Sequence, residues 1–296
     1  MIRKLKILLV LAALGLSTGS ASAFFENTVT SPRARAMGET SVAVPGAAFA
    51  AFLNPGQLAG VGQGAMAASY VQPFGLDFND FFYLGGALPL DSRHGSLGLG
   101  VSSFQVESQS VSLLKETQIT LAHGFTLYED YHSRVDFGWG VSRYEVELGE
   151  SIGGEIPGDA TAYGVDLGML MTLHKRTMLG FQIKNMNNPQ IGLDQEELSR
   201  RLVAGLSYQP YDGVITTFEI QNQLDQDLQY HGGVEFYVVE GFALRAGVVT
   251  NPNKLTAGFG YELHDLGFDY GFSTGGGVLD FTHQFGMRFA WGGEAQ

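Results

Sequence analysis

The chain has 296 residues, with 17 Lys and Arg against 30 Asp and Glu, a formal net charge of −13 and no cysteine. The lack of cysteine excludes disulfides, thiolate metal sites and a cysteine-borne lipid anchor. The acidic balance argues against a nucleic-acid partner.

At the N-terminus, Arg3, Lys4 and Lys6 precede an apolar run from Ile7 to Leu16, and Ala21-Ser22-Ala23 offers a small-x-small cleavage site. This predicts a secretory signal peptide over residues 1–23. Its removal takes three basic residues and no acidic ones, which leaves 14 basic against 30 acidic side chains and a net charge of −16. Beyond it, no apolar run approaches the roughly 20 residues of a spanning helix. A mature chain that crosses a membrane must then do so as a closed barrel, which satisfies every backbone group in lipid.

Residues 24–63 do not alternate. They run from Phe24-Phe25 through Ser31-Pro32-Arg33-Ala34-Arg35-Ala36-Met37-Gly38 and a small-residue stretch to Phe52-Leu53-Asn54-Pro55-Gly56. The composition predicts a compact apolar segment with one or two short helices and an Asn-Pro-Gly turn. It is expected to be a plug inside the barrel. Phe24, Phe25, Arg33, Arg35, Met37, Phe49, Phe52, Asn54 and Pro55 are its candidate ligand-path residues.

From residue 64 to 291 the pattern has a period of two, which places successive side chains on opposite faces of a strand. One stretch sets Leu228, Tyr230, Val234, Phe236 and Val238 against Gln229, His231, Gly233 and Glu235. Strands are predicted at 64–72, 80–90, 95–106, 116–128, 132–147, 160–173, 176–186, 198–209, 214–223, 228–239, 242–250, 254–264, 266–273 and 279–291. The fold class is all-β: a 14-stranded antiparallel transmembrane barrel around an N-terminal plug. An even count suits a bacterial outer-membrane barrel, and so does the alternation of short turns with longer loops such as 148–159 and 187–197. With the short turns periplasmic, both termini, including a tail at 292–296, fall on the periplasmic side of a Gram-negative-type outer membrane.

Strand parity places Asp136, Asp166, Lys184, Arg201, Glu219, His231, Glu235, Arg245, Glu262, His264, Asp269, Asp280 and Arg288 on the lumen face. Buried charges of both signs are expected to pair with one another and with Arg33, Arg35 and Glu39, because an unpaired buried charge is costly. The seven histidines show no metal-ligand spacing, and no cofactor is expected. No nucleophile elbow or Walker motif is present, so no enzyme is expected.

The run Arg33-Ala34, Met37-Gly38, Val42-Ala43-Val44, Ala48, Ala50, Asn54-Pro55 and Leu58-Ala59 resembles the N-terminal motif of the PorV/PorQ (UPF0164) group, in the superfamily of the FadL-type fatty-acid transporter. Thr282-His283-Gln284-Phe285 resembles that group's final strand. The chain departs from the group at Gly46-Ala47, where an acidic pair is usual, at Glu39 in place of a glycine, and at Gly56-Gln57. The superfamily implies a channel for small hydrophobic molecules surrounded by outer-membrane lipid. The PorV likeness implies an alternative, a secretion-system component or shuttle that binds partner proteins. A soluble β-protein would need a second sheet to cover faces such as Leu266, Phe268, Tyr270 and Phe272.

Overall fold

A computed structural model describes residues 24–25, 29–76, 78–91, 94–108, 111–149, 158–192, 195–223, 226–275 and 280–292. The signal peptide at 1–23, most of the 148–159 loop and the tail beyond Gly292 lie outside the described residues. The strands are β1 (Gly64–Gln72), β2 (Asn79–Asp91), β3 (Gly95–Ser108), β4 (Val111–Glu129), β5 (Ser133–Leu148), β6 (Asp159–Leu173) and β7 (Thr177–Lys184). A two-residue pair follows, β8 (Gln190–Ile191) and β9 (Glu196–Glu197). The series then continues with β10 (Arg201–Tyr211), β11 (Val214–Gln223), β12 (Gln229–Val239), β13 (Phe242–Val249), β14 (Lys254–Leu263), β15 (Leu266–Ser273) and β16 (Thr282–Trp291). Fourteen of them close a barrel in which each pairs antiparallel with its chain neighbours. β7 pairs with β10 across the small β8–β9 hairpin, and β16 returns to β1. That last seam runs from Gly64 opposite Trp291 to Gln72 opposite His283.

The two faces sort as the alternation requires. On β12, His231 and Glu235 are buried inside, while Tyr230, Val234 and Phe236 are exposed outside. Leu121 on β4 and Leu255 on β14 are likewise exposed on the outer face. No helix among the described residues is long and apolar enough to cross a membrane.

Several boundaries differ from the alternation. β3 and β4 extend to Ser108 and Val111, where residues 107–115 read as a loop, because Ser and Gln on both faces hide a ladder that the backbone continues. The 187–197 loop contains the β8–β9 hairpin. β16 starts at Thr282 rather than 279. The wall is also uneven: β4 has 19 residues and β5 has 16, whereas β7, β13 and β15 have eight each. β6 pairs with β7 only from Leu167 onward, so its first residues rise past β7.

Candidate functional site: the luminal segment and its charged wall

Residues 29–63 touch inward-facing positions right around the barrel. Pro32–Ala36 forms a short helix with Pro32 at its first turn, a position where the missing N–H costs nothing. Ala47–Phe49 winds as a 3₁₀ turn into the helix Ala50–Leu53. Asn54 then caps the turn Pro55–Gly60, its side chain accepting from Gly56 N–H at 3.0 Å. Ala36, Met37, Val42, Ala50, Asn54 and Leu58 are fully buried.

Glycines on the wall make this close approach possible. A Cβ at Gly180 of β7 would sit 2.2 Å from the Val42 carbonyl oxygen, and one at Gly138 of β5 would sit 2.2 Å from the Pro55 carbonyl carbon. Gly85, Gly233, Gly247 and Gly271 meet the segment's backbone in the same way, on β2, β12, β13 and β15. The segment contributes its own glycine at Gly38, where φ is 68° and a side chain would strike the Gly232 carbonyl. Other wall glycines make room for side chains instead: Gly98 faces Leu58 and Gly100 faces the Phe52 ring.

Inward side chains satisfy the segment's backbone, as buried polar groups require. Glu219 accepts from Ser41 N–H and Val42 N–H at 2.8 and 3.0 Å. Asn54 Nδ2 donates to the Val42 and Met169 carbonyls at 2.8 and 3.1 Å. Thr256 Oγ1 accepts from Gly38 N–H and donates to the Ala36 carbonyl. Arg134 Nη2 donates to the Ala59 carbonyl at 2.7 Å, and His231 Nδ1 meets the Gly38 carbonyl at 2.8 Å.

The charges form a continuous alternating chain. Arg33 forks onto Glu235, with Nε at 2.9 Å and Nη2 at 2.7 Å. Arg245 bridges Glu235 and Asp269, both at 2.6 Å. Arg288 then links Asp269 at 2.6 Å to Glu262 at 2.9 Å. Glu39 lies 3.9 Å from Arg35 and 3.2 Å from Lys254. Arg35 itself bonds Gln284 and Ser273 on the wall.

The other expected residues are distributed as follows. Asp136 is buried against Arg134 and Thr126. Asp166 accepts the Asn185 amide at 2.8 Å and lies within electrostatic reach of Lys184 and Arg201, which face each other across β7 and β10. His264 occupies the exposed turn between β14 and β15, at the rim of a cavity. Asp280 lies before β16, where its carboxylate accepts the Phe281 amide. Phe49 and Phe52 pack with Leu53 against Ala65, Ala67, Val71 and Tyr83 of β1 and β2. Phe24 and Phe25 instead join Tyr144, Ile191 and Leu198, so the aromatics of the segment divide between two clusters.

Tyr144 lies near the loop end of β5, whereas Gly64 and Trp291 lie at the short-turn end. The segment therefore runs from the loop end to the turn end, and residues 24–25 are on the side opposite Trp291. Phe25 is held at that level by Glu116 and Tyr144. Arg134, Lys254, Thr256 and Gln284 did not stand out in the sequence, although their parity on the lumen face was readable.

Two cavities open at the turn end, of about 440 and 360 Å³. Both are bounded by Pro45-Gly46-Ala47, the loop that separates them. The larger has Phe49, Leu53 and Val61 on one side and Arg33 and Arg288 on the other. Deeper in the lumen, Glu39, Arg201, Glu219 and His231 enclose a polar cavity of about 30 Å³. No group of three or more potential metal-ligating side chains occurs among the described residues.

No family model matches the chain, and no curated protein matches it. Solved structures do. The Ralstonia pickettii toluene transporter TbuX is 13% identical, with 90% of this chain and 100% of TbuX covered at a TM-score of 0.62. The CymD monoaromatic hydrocarbon channel is 14% identical over 90% of this chain and 98% of its own, at a TM-score of 0.60. A FadL homologue of Pseudomonas aeruginosa is 13% identical over 89% and 96%, at 0.52. At these identities the likeness is one of fold. The chain has the barrel architecture of FadL-type outer-membrane transporters. The PorV/PorQ resemblance and the secretion role attached to it gain no support from these three structures.

Proposed function

We propose that this chain is a non-enzymatic outer-membrane channel that passes small hydrophobic molecules. The observation that carries the reading is the architecture shared with a toluene transporter along the whole of that transporter's length. The luminal segment fits the role of a plug, because its backbone occupies the space that the wall glycines leave. Passage then requires the segment to shift. The half-apolar cavity of about 440 Å³ at the turn end falls in the size range of small-molecule sites and suits a small apolar solute on its way through. The short-turn end is read as periplasmic, as in other barrels of this kind.

The test is uptake of a radiolabelled monoaromatic hydrocarbon by cells that lack their own channel, with and without this chain. The expected result is faster uptake with the chain present in the outer-membrane fraction. Equal uptake with the folded barrel in place overturns the reading.

A further inference from the structure

Phe24 and Phe25 hold a position that the channel reading does not require. Phe25 donates its backbone N–H to Glu116 Oε2 of β4 at 3.0 Å. Its ring meets Tyr144 edge-on, with centroids 4.8 Å apart and planes at 64°. Glu116 is only 4% exposed and Tyr144 is fully buried. Phe24 packs into the same cluster, beside Ile191 and Leu198. Phe25 also has φ 59°, a left-handed conformation that a bulky residue keeps only where its surroundings impose it. A carboxylate and an apolar pocket thus grip two consecutive residues at the loop end.

The residue just before them is Ala23, the last of the small-x-small motif. We propose that Glu116 and the Tyr144 cluster form a receptor site for the chain's own processed N-terminus, the carboxylate taking the α-ammonium of Phe24 and the cluster taking the two phenyl rings. The proposal rests on residues 1–23 being a cleaved leader and is independent of what the barrel passes. On cleavage, water adds across the Ala23–Phe24 peptide bond. Ala23 keeps the carboxylate, and the Phe24 amine takes up a proton at neutral pH. The new cation is one residue from an amide already bonded to Glu116. A charge-assisted bond to a carboxylate is roughly twice as strong as a neutral one. Before cleavage the Phe24 nitrogen is a neutral amide, so this seating follows processing.

The experiment uses the full mature chain, folded in detergent micelles and reductively methylated with ¹³C-formaldehyde. Intact mass identifies the first residue, and the resonance of the dimethylated α-amine is followed with pH. The expected result is a chain that starts at Phe24 with a midpoint at least about one pH unit above the usual α-amino value near 7.7–8.0. Glu116→Gln returns the midpoint to that value. One alanine inserted between Ala23 and Phe24 does the same, and this variant serves if Glu116→Gln fails to fold. An ordinary midpoint in the unaltered chain, or a raised one that survives both changes, overturns the site. A mass that starts elsewhere overturns the leader premise instead.

Discussion

Arg33 of the luminal segment and Glu235 of β12 lie 202 residues apart in sequence, yet they form a forked pair at 2.9 and 2.7 Å. Glu235 has no exposed side-chain surface, and it shares its second bond with Arg245. The segment is thereby tied into the charge chain of the wall at its first helix.

Glu235→Gln leaves two guanidinium groups without their shared carboxylate. Breaking one member of a buried pair costs about 3–5 kcal/mol. Arg33 is partly exposed, so a loss near the lower end, about 3 kcal/mol, is expected. Urea unfolding from lipid vesicles checks it. A double-mutant cycle with Arg33→Met should show coupling, since the two residues touch.

Gly180→Ala sets a Cβ against the Val42 carbonyl at 2.2 Å, where the obstacle is backbone that cannot swing aside. The barrel is expected to form with the segment displaced. Trypsin should then cut after Arg33 and Arg35 at least about tenfold faster, because local opening governs such cleavage. Gly140→Ala is the control, since its nearest contact would be an ordinary 3.5 Å. Equal digestion of the two variants would contradict the close fit.

Asn54→Ala removes the bonds to Val42, Met169 and Gly56 together. Buried groups left unsatisfied cost roughly 1–3 kcal/mol. The loss should appear as a lower urea midpoint, whereas Asn54→Asp should recover the Gly56 contact alone.

Asp130, in the exposed turn between β4 and β5, accepts bonds from the Tyr128 hydroxyl and from the His132 and Ser133 amides, and these hold its carboxyl down to about 2. A depressed carboxyl stabilises the fold fully above its unfolded value near 3.9, and that contribution is lost as pH falls through about 2. Carboxyl carbon shifts of Asp130 recorded by NMR between pH 1.5 and 5 should give a midpoint near 2, and a midpoint near 3.9 would contradict these bonds.

Much of the barrel is legible in the sequence because alternation is a local property. Parity placed Glu235, Arg245 and Asp269 on one face without any knowledge of register. Which carboxylate meets which guanidinium depends on cross-strand register and on the path of the segment, and neither is written in a window of ten residues. Arg134 shows the limit. It shares the parity of Asp136, but its bond to the Ala59 carbonyl spans 75 positions. The hairpin near Val111 stayed hidden for another reason. Strand that stands in water on both faces carries no contrast between apolar and polar sides.

The unequal strand lengths give the loop end a raised half and a low half. At ~3.3 Å per residue and a tilt of ~40°, the 19 residues of β4 rise ~48 Å along the barrel axis and the eight of β13 only ~20 Å. The surplus strand of β3 to β6 rises above its neighbours like a parapet, and it stops abruptly where β6 outruns β7. A molecule arriving at this end meets a screen on one flank and a sill on the other, so the mouth of the barrel faces sideways.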